Sequence, residues 1–99
     1  MTPVIKLLRS DEWAYLQATG EFAGSPDDRR DGFIHLSAPD QVAATLAKWF
    51  VGVAGVMAIS FDADALGADL RWEPARGGTP FPHLYRPLHL AEVVSVDPA

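Results

Sequence analysis

Helical signals stand early in this chain and strand signals crowd its second half. That order restricts the fold more than any single residue does. Residues 4–8 form a short apolar run that reads as a strand. Ser10-Asp11-Glu12 predicts a helix start, with Ser10 as N-cap and two acids in the first turn, where the helix dipole favours them. Trp13 and Leu16 supply its buried face, and Gly20 is a natural stop. Residues 21–31 are expected to be loop, because Gly24-Ser25-Pro26-Asp27-Asp28 is dense in turn residues. Residues 33–36 follow as a strand. Ser37-Ala38-Pro39-Asp40 then predicts a second helix, with Ser37 as cap and Asp40 reaching back. A stripe of Val42, Leu46, Trp49 and Phe50 carries it to about Phe50. Residues 56–61 read as a central strand, 62–66 as one helical turn capped by Asp62, and 70–73 as a strand ended by Pro74. Residues 88–90 and 93–96 add two short strands or one bent strand. Regular βαβ alternation is absent, and no glycine-rich phosphate loop follows a strand. The expected class is α+β, with a mostly antiparallel sheet or a pair of sheets.

The chain's 99 residues leave room for one core, hence one domain. It has no cysteine, so neither disulfides nor thiolate chemistry are available. The start MTPVIKLL lacks a signal peptide's pattern, and no apolar stretch approaches the roughly 20 residues that span a bilayer. The expected address is the cytoplasm. A net charge of −5 disfavours nucleic acid as a partner, because such binding draws on clustered Lys and Arg. The cations are nevertheless unevenly spread. Arg29 and Arg30 precede one histidine segment, and Arg71, Arg76 and Arg86 flank another. Arginine's planar fork suits a small anionic ligand, phosphate or carboxylate. Solvated loop arginines are the alternative.

Those two segments are Gly32-Phe33-Ile34-His35-Leu36-Ser37 and Phe81-Pro82-His83-Leu84-Tyr85. Each sets an imidazole in an apolar run, where an unpaired buried polar atom costs on the order of 1–3 kcal/mol. Strand alternation puts His35 on one face with Phe33 and Ser37, and Ile34 and Leu36 on the core side. A cleft residue fits this pattern, and so does a half-buried histidine bonded to a backbone carbonyl. Pro82 donates no hydrogen bond, so its segment is expected at a sheet edge or in a shaped loop. Phe81, His83 and Tyr85 share a face if it is extended. Imidazole and phenol can then donate and accept around a ligand. Otherwise Phe81 and Tyr85 are core aromatics and His83 fixes the loop. Glu73, at a strand end, could serve as general base or hold a ribose hydroxyl, or pair with Arg71 or Arg76. His89 is expected to face solvent. No metal site is expected, because the three histidines and Glu73 come from separate elements without tight ligand spacing. No serine-hydrolase elbow is present.

The paired segments resemble those of a bacterial domain-of-unknown-function family, family 952. There Gly-Phe-Ile-His-Leu-Ser precedes a helix, Arg-x-Glu lies in a later strand, and Phe-Pro-His-x-Tyr comes near the end. Gly32 to Ser37, Arg71-Trp72-Glu73 and Phe81 to Tyr85 match in that order. The resemblance implies a fold related to the ADP-ribosyltransferases, with two small, mostly antiparallel sheets and two helices around a cleft. His35-Leu36-Ser37 is also similar to the His-Leu-Ser strand of the RNA 2′-phosphotransferases, which share that fold. By this resemblance the cleft holds NAD or an ADP-ribosyl group. His35, Glu73 and Tyr85 would be catalytic, with Glu73 stabilising positive charge at the reacting sugar carbon. Arg30, Ser37, Arg71, His83 and Arg86 would bind the ligand, Arg30 and Arg86 through phosphate. A non-catalytic module that keeps the cleft for a metabolite or a protein is the rival expectation. The first strand offers the cleft only Lys6, and Arg86 follows Tyr85 where the family often has glycine.

Overall fold

The strand over residues 3–8 is apolar on both sides and is covered on both. Val4 and Leu8 are fully buried on one side, while Ile5 and Leu7 are buried on the other. A strand enclosed on two faces reads as a continuous apolar run, and here the exception is Lys6, itself only 7% exposed. The computed structural model describes residues 1–75 and 77–99. Its strands are β1 Pro3–Leu8, β2 Glu21–Phe22, β3 Ile34–His35, β4 Met57–Asp62, β5 Leu70–Pro74, β6 Pro80–Leu84, β7 Leu88–His89 and β8 Val93–Pro98. Its α-helices are α1 Ser10–Thr19, α2 Pro26–Asp31, α3 Val42–Trp49 and α4 Ala63–Leu66.

Every strand pair is antiparallel, and the α+β class expected from the sequence is met. The strands form three small sheets, in the orders β1-β4-β8, β2-β7 and β3-β6-β5. The sequence predicts one sheet or two; the extra one is the two-residue pairing of β2 with β7. A single bridge joins the first sheet to the third. Ile5 and Ser37 exchange both backbone hydrogen bonds, at 2.8 Å each. Val4, Leu8, Leu16, Ile59, Phe61, Leu84 and Leu88 share one core. Burying each such side chain contributes roughly 1.5–3 kcal/mol. Ile5, Leu7 and Val56 form a second cluster against Val42, Leu46 and Phe50.

Several local expectations need correction. Arg9, not Ser10, caps α1, because its N–H reaches Glu12 Oε1 at 2.9 Å. The stretch read as loop contains β2 and α2. Ser25 Oγ accepts from the Asp28 N–H (3.2 Å), Asp28 Oδ2 accepts from the Ser25 N–H (2.9 Å), and Pro26 opens the helix. That reciprocal box satisfies two otherwise orphaned donors. Ser37 does not cap a helix; it lies in the bridge to Ile5. A 3₁₀ turn, Pro39–Gln41, precedes α3, and Gln41 Oε1, not Asp40, takes the Ala38 N–H at 2.9 Å. Trp49 is 62% exposed, off the packed stripe. Asp62 does cap α4, accepting from the Asp64 N–H at 3.1 Å.

Strand β6 is the centre of its sheet, not an edge, despite Pro82. The Pro82 carbonyl accepts from the Leu36 N–H at 3.0 Å. In an antiparallel ladder a residue's N and C=O face the same neighbour, so the missing donor faces Leu36. Strand β3 has already ended there, at His35, and no bond of the named ladder is lost.

Candidate functional site

In-register pairing sets His35 opposite His83 and His83 opposite Arg71, so the three share one rung of the β3-β6-β5 sheet. Ile34 and Leu84 on the neighbouring rung are 2% and 0% exposed and face the core. The other face is therefore polar and aromatic, as the alternation of residues 33–37 predicts. Phe33 stacks on His83 with ring centroids 4.0 Å apart, and it lies 4.7 Å from His35 and 5.3 Å from Tyr85. The two imidazoles meet edge to face at 5.6 Å.

Asp28, at the middle of α2, is the hub behind His35. Its Oδ1 accepts from the His35 N–H at 3.1 Å and lies 2.7 Å from His35 Nδ1. Its Oδ2 accepts from Lys6 Nζ and from the Ser25 N–H, both at 2.9 Å. Lys6 also donates to the His35 carbonyl at 3.0 Å. Burial pushes the Asp28 carboxyl up, but the His35 hydrogen bond and the Lys6 charge outweigh it, holding the group well below the usual carboxylate range. An ionised carboxylate only accepts, so His35 carries hydrogen on Nδ1. Gly24 makes the close packing feasible. Its φ is +119°, and a Cβ there would sit 2.7 Å from Asp28 Cβ. On the outer side, His35 Nε2 lies 3.1 Å from Asp31 Oδ2.

A second carboxylate stands behind His83. Glu73 Oε1 accepts from the Tyr85 hydroxyl at 2.6 Å and lies 2.8 Å from His83 Nδ1. The Tyr85 bond first, then the His83 bond, hold the Glu73 carboxyl below its ordinary value. The same bond to Glu73 pushes the Tyr85 phenol up. Arg71 lies over the Tyr85 ring, 4.7 Å from its centroid.

A cleft of about 620 Å³ opens over His35 and His83, with Thr45, Lys48 and Trp49 of α3 among its walls. Its lining carries Lys6, Arg9, Arg30 and Lys48 against Glu12, Asp27, Asp28 and Asp31. The cleft is thus balanced in formal charge, in a chain of net charge −5. Arg9 lies over the Phe50 ring at 5.0 Å and Lys48 over the Trp49 ring at 5.1 Å. Neither has a salt bridge among the described residues.

The structure brings His35, His83, Ser37 and Arg30 to this cleft. Ser37 is 4% exposed, and its hydroxyl lies 3.3 Å from Thr45 Oγ1. Arg30 stands at the rim, tied to Asp27 at 3.2 Å and Asp31 at 3.0 Å. Glu73 and Tyr85 gather behind His83, not along the cleft, and Arg71 goes with them. Arg86 lies outside the lining of this cleft. Its guanidinium meets Glu92 at 2.7 and 2.9 Å and Asp69 at 3.4 Å, pairs that tie the chain together. His89 is half exposed beside Glu21, at 3.7 Å. The flanking Arg76 lies outside the described residues. Asp28 and Asp31 were missing from the sequence-derived site. The capping pattern Ser25-Pro26-Asp27-Asp28 was the available signal, since it converts the supposed loop into a helix ending against His35. Among the described residues, no cluster of three His, Asp or Glu is placed to hold a metal ion. None of their helices is long and apolar enough to cross a membrane.

A family model described as "Protein of unknown function (DUF952)" matches residues 7–96, and the chain belongs to that family. It is similar to the crystal structure of protein CC0527 from Caulobacter crescentus, at 48% identity and a TM-score of 0.94, covering 98% of this chain and 85% of that one. The solution NMR structure of CC0527 gives 49% identity and a TM-score of 0.87, over 98% of this chain and 84% of that one. No curated protein matches the chain.

Proposed function

We propose that the chain, as a member of this family, is a transferase-like enzyme that binds an NAD- or ADP-ribosyl-type ligand in the cleft over His35 and His83. One observation carries this reading. A single cleft holds two carboxylate-backed imidazoles and two cations lying on aromatic rings. Its volume of about 620 Å³ falls in the range of small-molecule sites, roughly 300–1,000 Å³. Trp49 and Phe81 offer faces for a base, while Arg9 and Lys48 supply charge for phosphate. His35 reaches the ribose or phosphate directly. Glu73 and Tyr85 act through His83, which they orient. An ADP-ribosyltransferase-like relation of the fold belongs to the same proposal, supported by small antiparallel sheets beside a cleft. So do a cytoplasmic address and a small anionic ligand in place of nucleic acid or membrane.

An NMR titration of the ¹⁵N-labelled chain with NAD, ADP-ribose and a zinc salt tests the reading. Localised shifts at His35, His83 and Trp49 with either nucleotide are expected. Silence with both nucleotides overturns it, and shifts with zinc alone point to a metal site instead. The second reading, a binding module without chemistry, is favoured by the position of Glu73 behind His83 and outside the cleft lining. Glu73→Gln separates the two: for an enzyme, turnover collapses while ADP-ribose affinity holds. Equal effects on both, or none on either, favour the module.

A further inference from the structure

The two cleft histidines are held differently, and the difference assigns them opposite chemistry. His83 gives Nδ1–H to Glu73, and its Nε2 has no hydrogen-bond partner among the described residues. A ring held this way accepts a proton at Nε2. His35 gives Nδ1–H to Asp28, and its Nε2 faces Asp31 at 3.1 Å. With carboxylate oxygens at both nitrogens, that ring is placed to donate from both. The open Nε2 of His83 can take a proton, while His35, paired at both nitrogens, has one to give. The rings are 5.6 Å apart, and the cleft opens over both.

We propose that His35 and His83 form an acid–base couple that cleaves a phosphodiester of a small nucleotide-class ligand; this rests on the reading of the cleft as a nucleotide site. His83 Nε2 removes a proton from an attacking water. The water oxygen forms a new P–O bond as the P–O bond to the leaving ribose oxygen breaks. That oxygen takes the proton from His35 Nε2. The sum is hydrolysis, with no oxidant or reductant, and exchange with solvent resets both rings. Asp31, partly exposed at the end of α2 and bonded to Arg30, yields Nε2 to the leaving oxygen. Arg9 and Lys48, in the lining of the same cleft, supply positive charge for the phosphate. The charged or titratable groups around His35 are Asp28, Asp31 and Lys6. Those around His83 are Glu73, Tyr85 and Arg71.

The test incubates the full chain with 2′,3′-cyclic AMP, 3′,5′-cyclic AMP and bis(p-nitrophenyl) phosphate, follows products by ³¹P NMR, and titrates the same preparation with ADP-ribose. Turnover of at least one ester is expected, with a bell-shaped pH profile. His35→Gln and His83→Gln should each lose at least about 100-fold in kcat, while ADP-ribose shifts persist at Arg9 and Trp49. The double variant should lose little more than either single one, because the couple acts as a unit. Glu73→Gln, at a partly exposed position, should lower kcat with KM retained and alter the profile limb belonging to the base. Failure to cleave any of the three esters overturns the couple. So does a histidine variant retaining activity within about tenfold, or, where a histidine variant does not fold, unchanged kcat in Glu73→Gln. ADP-ribose binding without hydrolysis removes the couple and leaves the nucleotide site standing. Loss of both removes both.

Discussion

Replacing Asp28 with Asn tests the network behind His35. Asn keeps one carbonyl oxygen, which can still accept from the His35 backbone and ring. Its amide NH₂ would then face Lys6 Nζ and the Ser25 N–H, each 2.9 Å from the oxygen it replaces. Donors would confront donors, and Lys6 would remain buried without a counter-charge. Breaking a buried ion pair from one side costs about 3–5 kcal/mol, a large share of the roughly 5–15 kcal/mol that holds such a domain together. At about 4–8 °C per kcal/mol in a chain of this size, Tm should fall by at least about 12 °C. Urea titration followed by circular dichroism at neutral pH measures the free energy. Lys6→Met fills the lysine stem's apolar path without the charge. Combined with Asp28→Asn it should restore part of the loss, a coupling of about 0.5–3 kcal/mol. The sign with pH follows from the lowered carboxyl. Asp28's contribution is full above its ordinary value of 3.8 and is lost as pH falls through the lower folded value. The gap between the native chain and the variant should close as pH falls below about 4. A cost under about 1 kcal/mol at neutral pH would refute the hub argument.

Tyr85→Phe removes the largest cause of Glu73's depression, so the Glu73 carboxyl should rise toward its ordinary value of 4.5, read by ¹³C titration of the side chain. An unmoved carboxyl would mean the 2.6 Å bond is not formed in solution. Arg86→Met should cost up to about 1 kcal/mol through the lost Glu92 and Asp69 pairs. It should leave the ADP-ribose titration unchanged; weakened binding would return Arg86 to the ligand.

The face assignments were legible because they follow from period two alone. Ile34 and Leu36 go inward, and His35 goes outward with Phe33. Asp62 as a cap was equally legible, being a contact of neighbours in sequence. What escaped was set by tertiary placement. The sequence offers Lys6 to the cleft, but not its partner Asp28, which α2 supplies from 22 residues away. α2 itself was hidden because Ser25, Pro26 and the aspartates serve turns and helix starts alike. Pro82 argued against a central strand, and only the position of β3's end explains why it is tolerated. Trp49 matched the α3 stripe, yet it faces the cleft with Lys48 instead of the core.

The couples differ from their meeting point in how far apart their members lie along the chain. Asp28 and His35 are separated by 7 positions, and Glu73 and His83 by 10. Each is a short-range closure of the kind that forms early in folding. The pairing of β3 with β6, extended by the Leu36 N–H bond to the Pro82 carbonyl and by Phe33 stacked on His83, joins one imidazole to the other across the sequence. The Glu73–His83 half-site can therefore close on its own, whereas the Asp28–His35 half-site is complete only when Lys6 reaches it from β1. Parting them would draw Ile34 and Leu84 out of the core, so the two rings stay together for as long as the core does.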